Sequence, residues 1–88
     1  MQFEWDEKKA RTNRIKHRVD FHSVQDFDLD TALYTVDDAM DYGEERWEAT
    51  GLIGLQLHTL VFTERGNRIR VISLRKATPD EMKEFYER

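Results

Sequence analysis

Arginine recurs at positions 65, 68, 70 and 75, with Lys76 just beyond, and no acid separates Arg65 from Lys76. Residues 63–75 read as a strand end, a tight turn at Gly66-Asn67, and a second strand rich in branched apolar residues. A buried strand does not normally carry so many guanidinium groups, because an unpaired charge away from water is very costly. Some of these arginines therefore face solvent, an acidic partner or phosphate. Set against a phosphodiester, they suit RNA cleavage without a metal. Attack of a 2′-hydroxyl on its own phosphate needs a base, an acid for the departing 5′-oxygen, and cations against the charge that builds at phosphorus. Arg70 or Arg75, with Arg65 at the turn, could supply the cations. Lys16 or His17, Glu64 and Tyr86 are candidates for proton transfer, although for Tyr86 core packing with the hydroxyl at the rim is the favoured reading.

Other chemistries find little support. No P-loop, dinucleotide fingerprint, nucleophile elbow or zinc spacing is present. His17, His22 and His58 match no metal motif, and the absence of cysteine removes disulfides, thiolate catalysis and thiolate metal sites. Asp26-Phe-Asp28-Leu-Asp30 resembles the start of a calcium loop, but Thr31 stands where the glycine belongs and Asp37 where the final Glu belongs. His58, on an expected buried strand, reads as a hydrogen-bonded core residue. Glu44-Glu45 reads as a solvated edge, although a carboxylate near arginines can act as a base. The expectation is no metal and no cofactor.

The 88 residues are expected to form one domain, 1–88. No apolar run approaches a membrane span, and no signal-peptide core is seen, which fits a cytosolic protein. The net charge of −4 argues against a nucleic-acid partner, yet its distribution is uneven. Residues 8–18 hold six Lys/Arg and no acid; residues 65–76 hold five and no acid; residues 20–48 hold ten acids and one base, Arg46. Such segregation either makes a basic face on an acidic molecule or is neutralised across the fold.

Several elements must position these groups. Phe3-Glu4-Trp5 reads as a short strand. Asp6 caps a helix running to about His17, with Glu7 at its positive end and Lys16, His17 and Arg18 near its negative end. Asp20 caps a second short helix carrying Phe21, Val24 and Phe27 at three-residue spacing. Residues 32–36 read as a strand, and 37–43 as an acidic loop. Strands follow over 45–53, 57–63 and 68–77, with turns at 54–56 and 66–67. Thr78-Pro79-Asp80-Glu81 is a capping box with proline at the first helical position, opening a helix from Pro79 to near Glu87. The expected fold class is α+β: an antiparallel sheet with two N-terminal helices and one C-terminal helix.

In order along the chain stand Phe3-Glu4-Trp5-Asp6, Lys8, Asn13, Lys16-His17, Val19, Phe21, Gly43-Glu44-Glu45-Arg46, Gly51, Phe62-Thr63-Glu64-Arg65, residues 69–77, Glu81 and Tyr86. In this order and spacing the chain resembles the BrnT family, the toxin halves of BrnT–BrnA type II toxin–antitoxin modules. The resemblance implies a small RelE-like domain and a cytoplasmic ribonuclease that inhibits translation by cutting RNA. It also implies a BrnA-like ribbon-helix-helix antitoxin that neutralises the toxin and carries the complex to operator DNA. It suggests Lys16, His17, Arg46, Glu64, Arg65, Arg75 and Tyr86 as catalytic candidates. Lys8, Arg14, Arg68, Arg70 and Lys76 are the expected RNA-binding residues. Where the family often has Gly after the Lys-His pair, this chain has Arg18, at a helix exit that favours a left-handed cap.

Two other readings compete. One is a non-catalytic module whose basic face docks an acidic helix of a partner. The other is a standalone DNA-binding protein, which the net charge and the lack of a helix-turn-helix pattern disfavour.

Overall fold

The computed structural model describes residues 2–37 and 43–88. The chain runs β1 (Gln2–Glu4), α1 (Glu7–His17), a 3₁₀ helix (Phe21–Asp26), β2 (Leu33–Asp37), β3 (Arg46–Ile53), β4 (Gln56–Arg65), β5 (Arg68–Lys76) and α2 (Pro79–Glu87). The five strands form one sheet in the order β1-β5-β4-β3-β2. The loop expected over 37–43 lies, for 38–42, outside the described residues; Asp37 itself closes β2.

The helical starts follow their local chemistry. Asp6 accepts a hydrogen bond from the Lys8 amide at 2.8 Å, and Asp20 accepts from the His22 amide at 2.9 Å. At α2 the capping box closes as expected: Thr78 Oγ1 accepts from the Glu81 amide, and a Glu81 carboxylate oxygen accepts from the Thr78 amide.

Two parts of the expected fold class are corrected. The segment after Asp20 is a single 3₁₀ stretch, so one N-terminal α-helix stands where two were expected. Phe21, Val24 and Phe27 recur every three residues with no apolar residue at the fourth. That is the eclipsed period of a 3₁₀ helix, and it sends one line of side chains into the core. The sheet is also mixed: β2 to β5 form an antiparallel meander, but β1 pairs parallel to β5, with Gln2, Phe3 and Glu4 opposite Arg68, Ile69 and Arg70. The parallel pairing lets Phe3 pack with the core beside Ile69 while Glu4 joins Arg68 and Arg70 on the other face.

The core fills one side of the sheet. Ala10, Val19, Phe21, Val24 and Phe27 lie against Ala49, Leu60, Phe62, Ile69, Val71 and Leu74. Helix α1 has almost no apolar stripe of its own, and its buried residues are Ala10 and Asn13. What anchors it is polar. β1 pairs with β5 only as far as Arg70, so beyond that point β5 has a free edge. Asn13 fills it: its Oδ1 accepts from the Leu74 amide at 3.1 Å, and its Nδ2 donates to the Leu74 carbonyl at 2.7 Å and to the Val19 carbonyl at 3.0 Å. One side-chain amide thus replaces a peptide unit of a missing strand and covers groups that would be costly to bury unpaired.

Candidate active site

The side of the sheet away from the core is the chemically loaded one. Strand alternation and register put Glu4 of β1, Arg68, Arg70, Ser73 and Arg75 of β5, Thr59, Thr63 and Arg65 of β4, and Arg46, Glu48 and Thr50 of β3 on this face. Arg70 and Arg75 are five residues apart, which in a regular strand would place them on opposite faces. A bulge resolves this: Val61 pairs with Ser73 and Phe62 with Val71, leaving Ile72 as the extra residue and bringing both arginines to one side.

Most of the arginines on this face are paired. Arg70 meets Glu4 at 3.0 Å and Arg68 meets the same carboxylate at 3.6 Å. Arg65 meets Glu44 at 3.6 Å, and register places Arg46 opposite Asp37. Arg75 is the most firmly held. Its Nη1 donates to Glu81 Oε1 at 2.7 Å, its Nη2 donates to Glu81 Oε2 at 3.0 Å, and Glu48 lies at 3.8 Å. Glu81 also accepts from Thr59 Oγ1 at 2.9 Å and from the Thr78 amide at 2.8 Å. The Arg75 guanidinium and these donors hold the Glu81 carboxyl down to about 2, and the Arg75 pKa is raised in turn.

The lysines of α1 are different. Among the described residues none of Lys8, Lys9 and Lys16 has a carboxylate within 4.0 Å. They line a groove of about 330 Å³ between α1 and β5, together with Thr12, Asn13, His17, Ile72 and Ser73. His17 follows Asn13 by one helical turn, so the grip on Leu74 also sets His17 beside β5. Its pKa is lowered by burial first, then by the charges of Lys16 and Arg75. The groove therefore offers cations without carboxylate partners among the described residues, and an imidazole whose pKa burial, Lys16 and Arg75 pull down. That is the equipment for binding a phosphodiester and moving protons at it.

The expected site residues divide by position. Lys8, Lys16 and His17 line the groove, and Arg75 lies outside its lining but close enough for its charge to act on His17. Arg46, Arg65, Arg68 and Arg70 share the open face. Arg14 is exposed on α1 and does not line the groove. Lys76 lies opposite His58 in register, on the core side of the sheet. Glu64 lies on that side too, in a hollow of about 400 Å³ with Leu29, Asp30, Tyr34, Phe62 and Ile69. Tyr86 is 68% exposed, stacks edge-on against Phe85, and borders a hollow with Leu55 and Met82 at the β3–β4 hairpin tip. His58 is buried, with Nδ1 3.0 Å from the Gln56 carbonyl. The would-be calcium ligand Asp28 instead accepts from the Asp30 and Thr31 amides and the Thr31 hydroxyl, closing its own turn.

Lys9, Thr12, Ser73, Glu48 and Glu81 belong to the site without having been singled out from the sequence as site residues. In the sequence Glu81 stands out as a helix cap and as part of the family pattern, not as a partner of Arg75, and the strand position of Glu48 gives no sign of which cation it meets.

A search of curated proteins finds no match to the chain. The family profile described as "Ribonuclease toxin, BrnT, of type II toxin-antitoxin system" matches residues 5–81, a span that includes α1, the whole β2–β5 meander and the start of α2 with Glu81. The chain belongs to the BrnT family of ribonuclease toxins of type II toxin–antitoxin systems.

Proposed function

We propose that this chain is an endoribonuclease that cleaves RNA without a metal ion and so inhibits translation in the cytoplasm. The groove between α1 and β5 receives the RNA backbone. Lys8, Lys9 and Lys16 bind phosphates there, and Arg75 and His17 act at the scissile one. The observation that carries this reading is the contrast in charge pairing. The arginines of β5 have carboxylate partners, whereas the groove lysines have none among the described residues and are available to phosphate. In a molecule of net charge −4, uncompensated cations gathered in one groove mark where a polyanion binds. A ribbon-helix-helix antitoxin of the BrnA kind covers this surface, silences the toxin and brings the complex to its operator.

The test is cleavage of RNA by the purified chain in EDTA, with and without the antitoxin and with Arg75→Ala alongside. Cleavage by the wild type, blocked by antitoxin and absent in the folded variant, is the expected result. Intact RNA with the chain alone and with translating ribosomes would refute it. The bidentate hold of Glu81 on Arg75 favours one alternative, in which the arginines are structural and the protein is a non-catalytic partner-binding module. Expression alone in bacteria separates the two: a toxin arrests growth, whereas a binding module is harmless and still captures the antitoxin.

A further inference from the structure

We infer that Glu48 and His17 are the base and the acid of RNA cleavage, standing on either side of the Arg75 guanidinium. The inference rests on the ribonuclease reading and deepens it. β5 lies between α1 and β3 in the plan of the molecule, because Asn13 ties α1 to the outer edge of β5 while β4 and β3 follow on the other side. Arg75 projects from the same face of β5 as Ser73; His17 of α1 lines the groove with Ser73 on one flank, and Glu48 of β3 lies 3.8 Å from Arg75 on the other.

The other carboxylates are poorly suited to the role. Glu81 spends both oxygens on Arg75 and accepts from Thr59 and Thr78 as well, which makes it a very weak base. Glu4 is bridged to Arg68 and Arg70. Glu64 lies across the sheet. Glu48 makes one loose contact with Arg75, at 3.8 Å through Oε1, and among the described residues its Oε2 takes no hydrogen bond. The charged groups acting on Glu48 are Asp37 of β2, Arg75 of β5 and Glu81 of α2; those acting on His17 are Lys16 of its own helix and Arg75. Burial and the two acids raise the Glu48 carboxyl against the pull of Arg75, while burial and two cations lower the His17 imidazolium, so the two groups approach each other in proton affinity. Such convergence suits a base and an acid that exchange roles within one turnover.

In the step itself, the Glu48 carboxylate takes the proton of the 2′-hydroxyl as that oxygen bonds to phosphorus. The bond from phosphorus to the 5′-oxygen breaks, and His17 delivers its proton to the departing oxygen. Arg75 faces the charge on the non-bridging oxygens, and the products are a 2′,3′-cyclic phosphate and a 5′-hydroxyl. No electrons are exchanged and no co-reactant is needed.

The experiment is the pH profile of kcat/KM for RNA cleavage by the wild type, Glu48→Gln, Glu48→Asp and His17→Gln, with thermal melts. Binding of an all-deoxy oligonucleotide, which has no 2′-hydroxyl to react, is measured in parallel. The wild type gives a bell-shaped profile. Glu48→Gln loses about 10²- to 10⁴-fold and its acidic limb, while oligonucleotide affinity holds. Glu48→Asp keeps the limb at a reduced rate, which decides the matter should the amide variant fail to fold. His17→Gln loses the alkaline limb. A well-folded Glu48→Gln enzyme with wild-type rates and an intact acidic limb overturns the assignment of Glu48 and leaves the ribonuclease reading standing. A wild type silent on naked RNA and on translating ribosomes overturns both.

Discussion

Replacing Glu81 with Gln tests whether one carboxylate ties the C-terminal helix to the sheet. Glutamine keeps the size and can still close the capping box with Thr78, so the perturbation is chiefly the loss of charge toward Arg75. In the folded protein the carboxyl is held from its ordinary 4.5 down to about 2, and its side chain is only 22% exposed, so solvent screens the pair weakly. That gap corresponds to about 3 kcal/mol of stability at pH 7. Because the folded pKa is depressed, the contribution is fully present above about 4.5 and fades as pH falls toward about 2, leaving about half at pH 3. For a domain whose total stability is about 5–10 kcal/mol, the variant is expected to lose about a third to about 60% of it and to melt about 10–20 °C lower at pH 7. Urea unfolding of both proteins at pH 7 and pH 3 checks the magnitude and the sign. A difference in unfolding free energy that stays constant between the two pH values would refute the ionic account. A difference below about 0.5 kcal/mol at pH 7 would show that the pair behaves like an exposed surface contact.

Three further outcomes follow from the geometry. Gly51→Ala would set its Cβ 2.8 Å from Phe27 Cζ and 3.0 Å from Ala32 Cβ; a loss of about 1–3 kcal/mol in chemical unfolding is expected, since the ring cannot retreat from a packed core. Arg18 caps α1 at φ 59°, a left-handed conformation that strains a side chain, so Arg18→Gly should raise stability by about 0.5–1 kcal/mol in the same assay. Lys8→Ala combined with Lys16→Ala should flatten the salt dependence of single-stranded oligonucleotide binding by about 1.4 in log–log slope; Arg68→Ala, already engaged by Glu4, should change it less, and fluorescence anisotropy across a salt series measures both.

Local signals in the chain were easy to read, and long-range ones were not. The capping box at Thr78, the cap at Asp6 and the Gly66-Asn67 turn are contained within a few residues, and each stands as expected. The three-residue spacing of Phe21, Val24 and Phe27 was also visible, but it encodes a 3₁₀ helix where an α-helix was expected. The parallel docking of β1 depends on a register between residues 66 positions apart, which no local pattern carries. The site suffered more. Alternation separates Glu64 from Arg65 on β4, but the bulge at Ile72 resets the faces of β5 and decides which arginines share a side. In the sequence Asn13 stands only as part of a family pattern. Its work, an amide closing a sheet edge, appears only once α1 and β5 meet.

That meeting has a consequence for the moment at which the proposed site can form. The groove needs residues 8–17 from one end of the chain and Ile72 and Ser73 from the other, and Arg75 is not fixed until Glu81 reaches it. A nascent chain, synthesised from its N-terminus, therefore carries the lysines of α1 long before it has a strand for Asn13 to grip. With so thin an apolar stripe, α1 has little reason to stay ordered on its own. On the proposed reading, RNA cleavage therefore waits until β5 and α2 have been synthesised and α1 has docked against them.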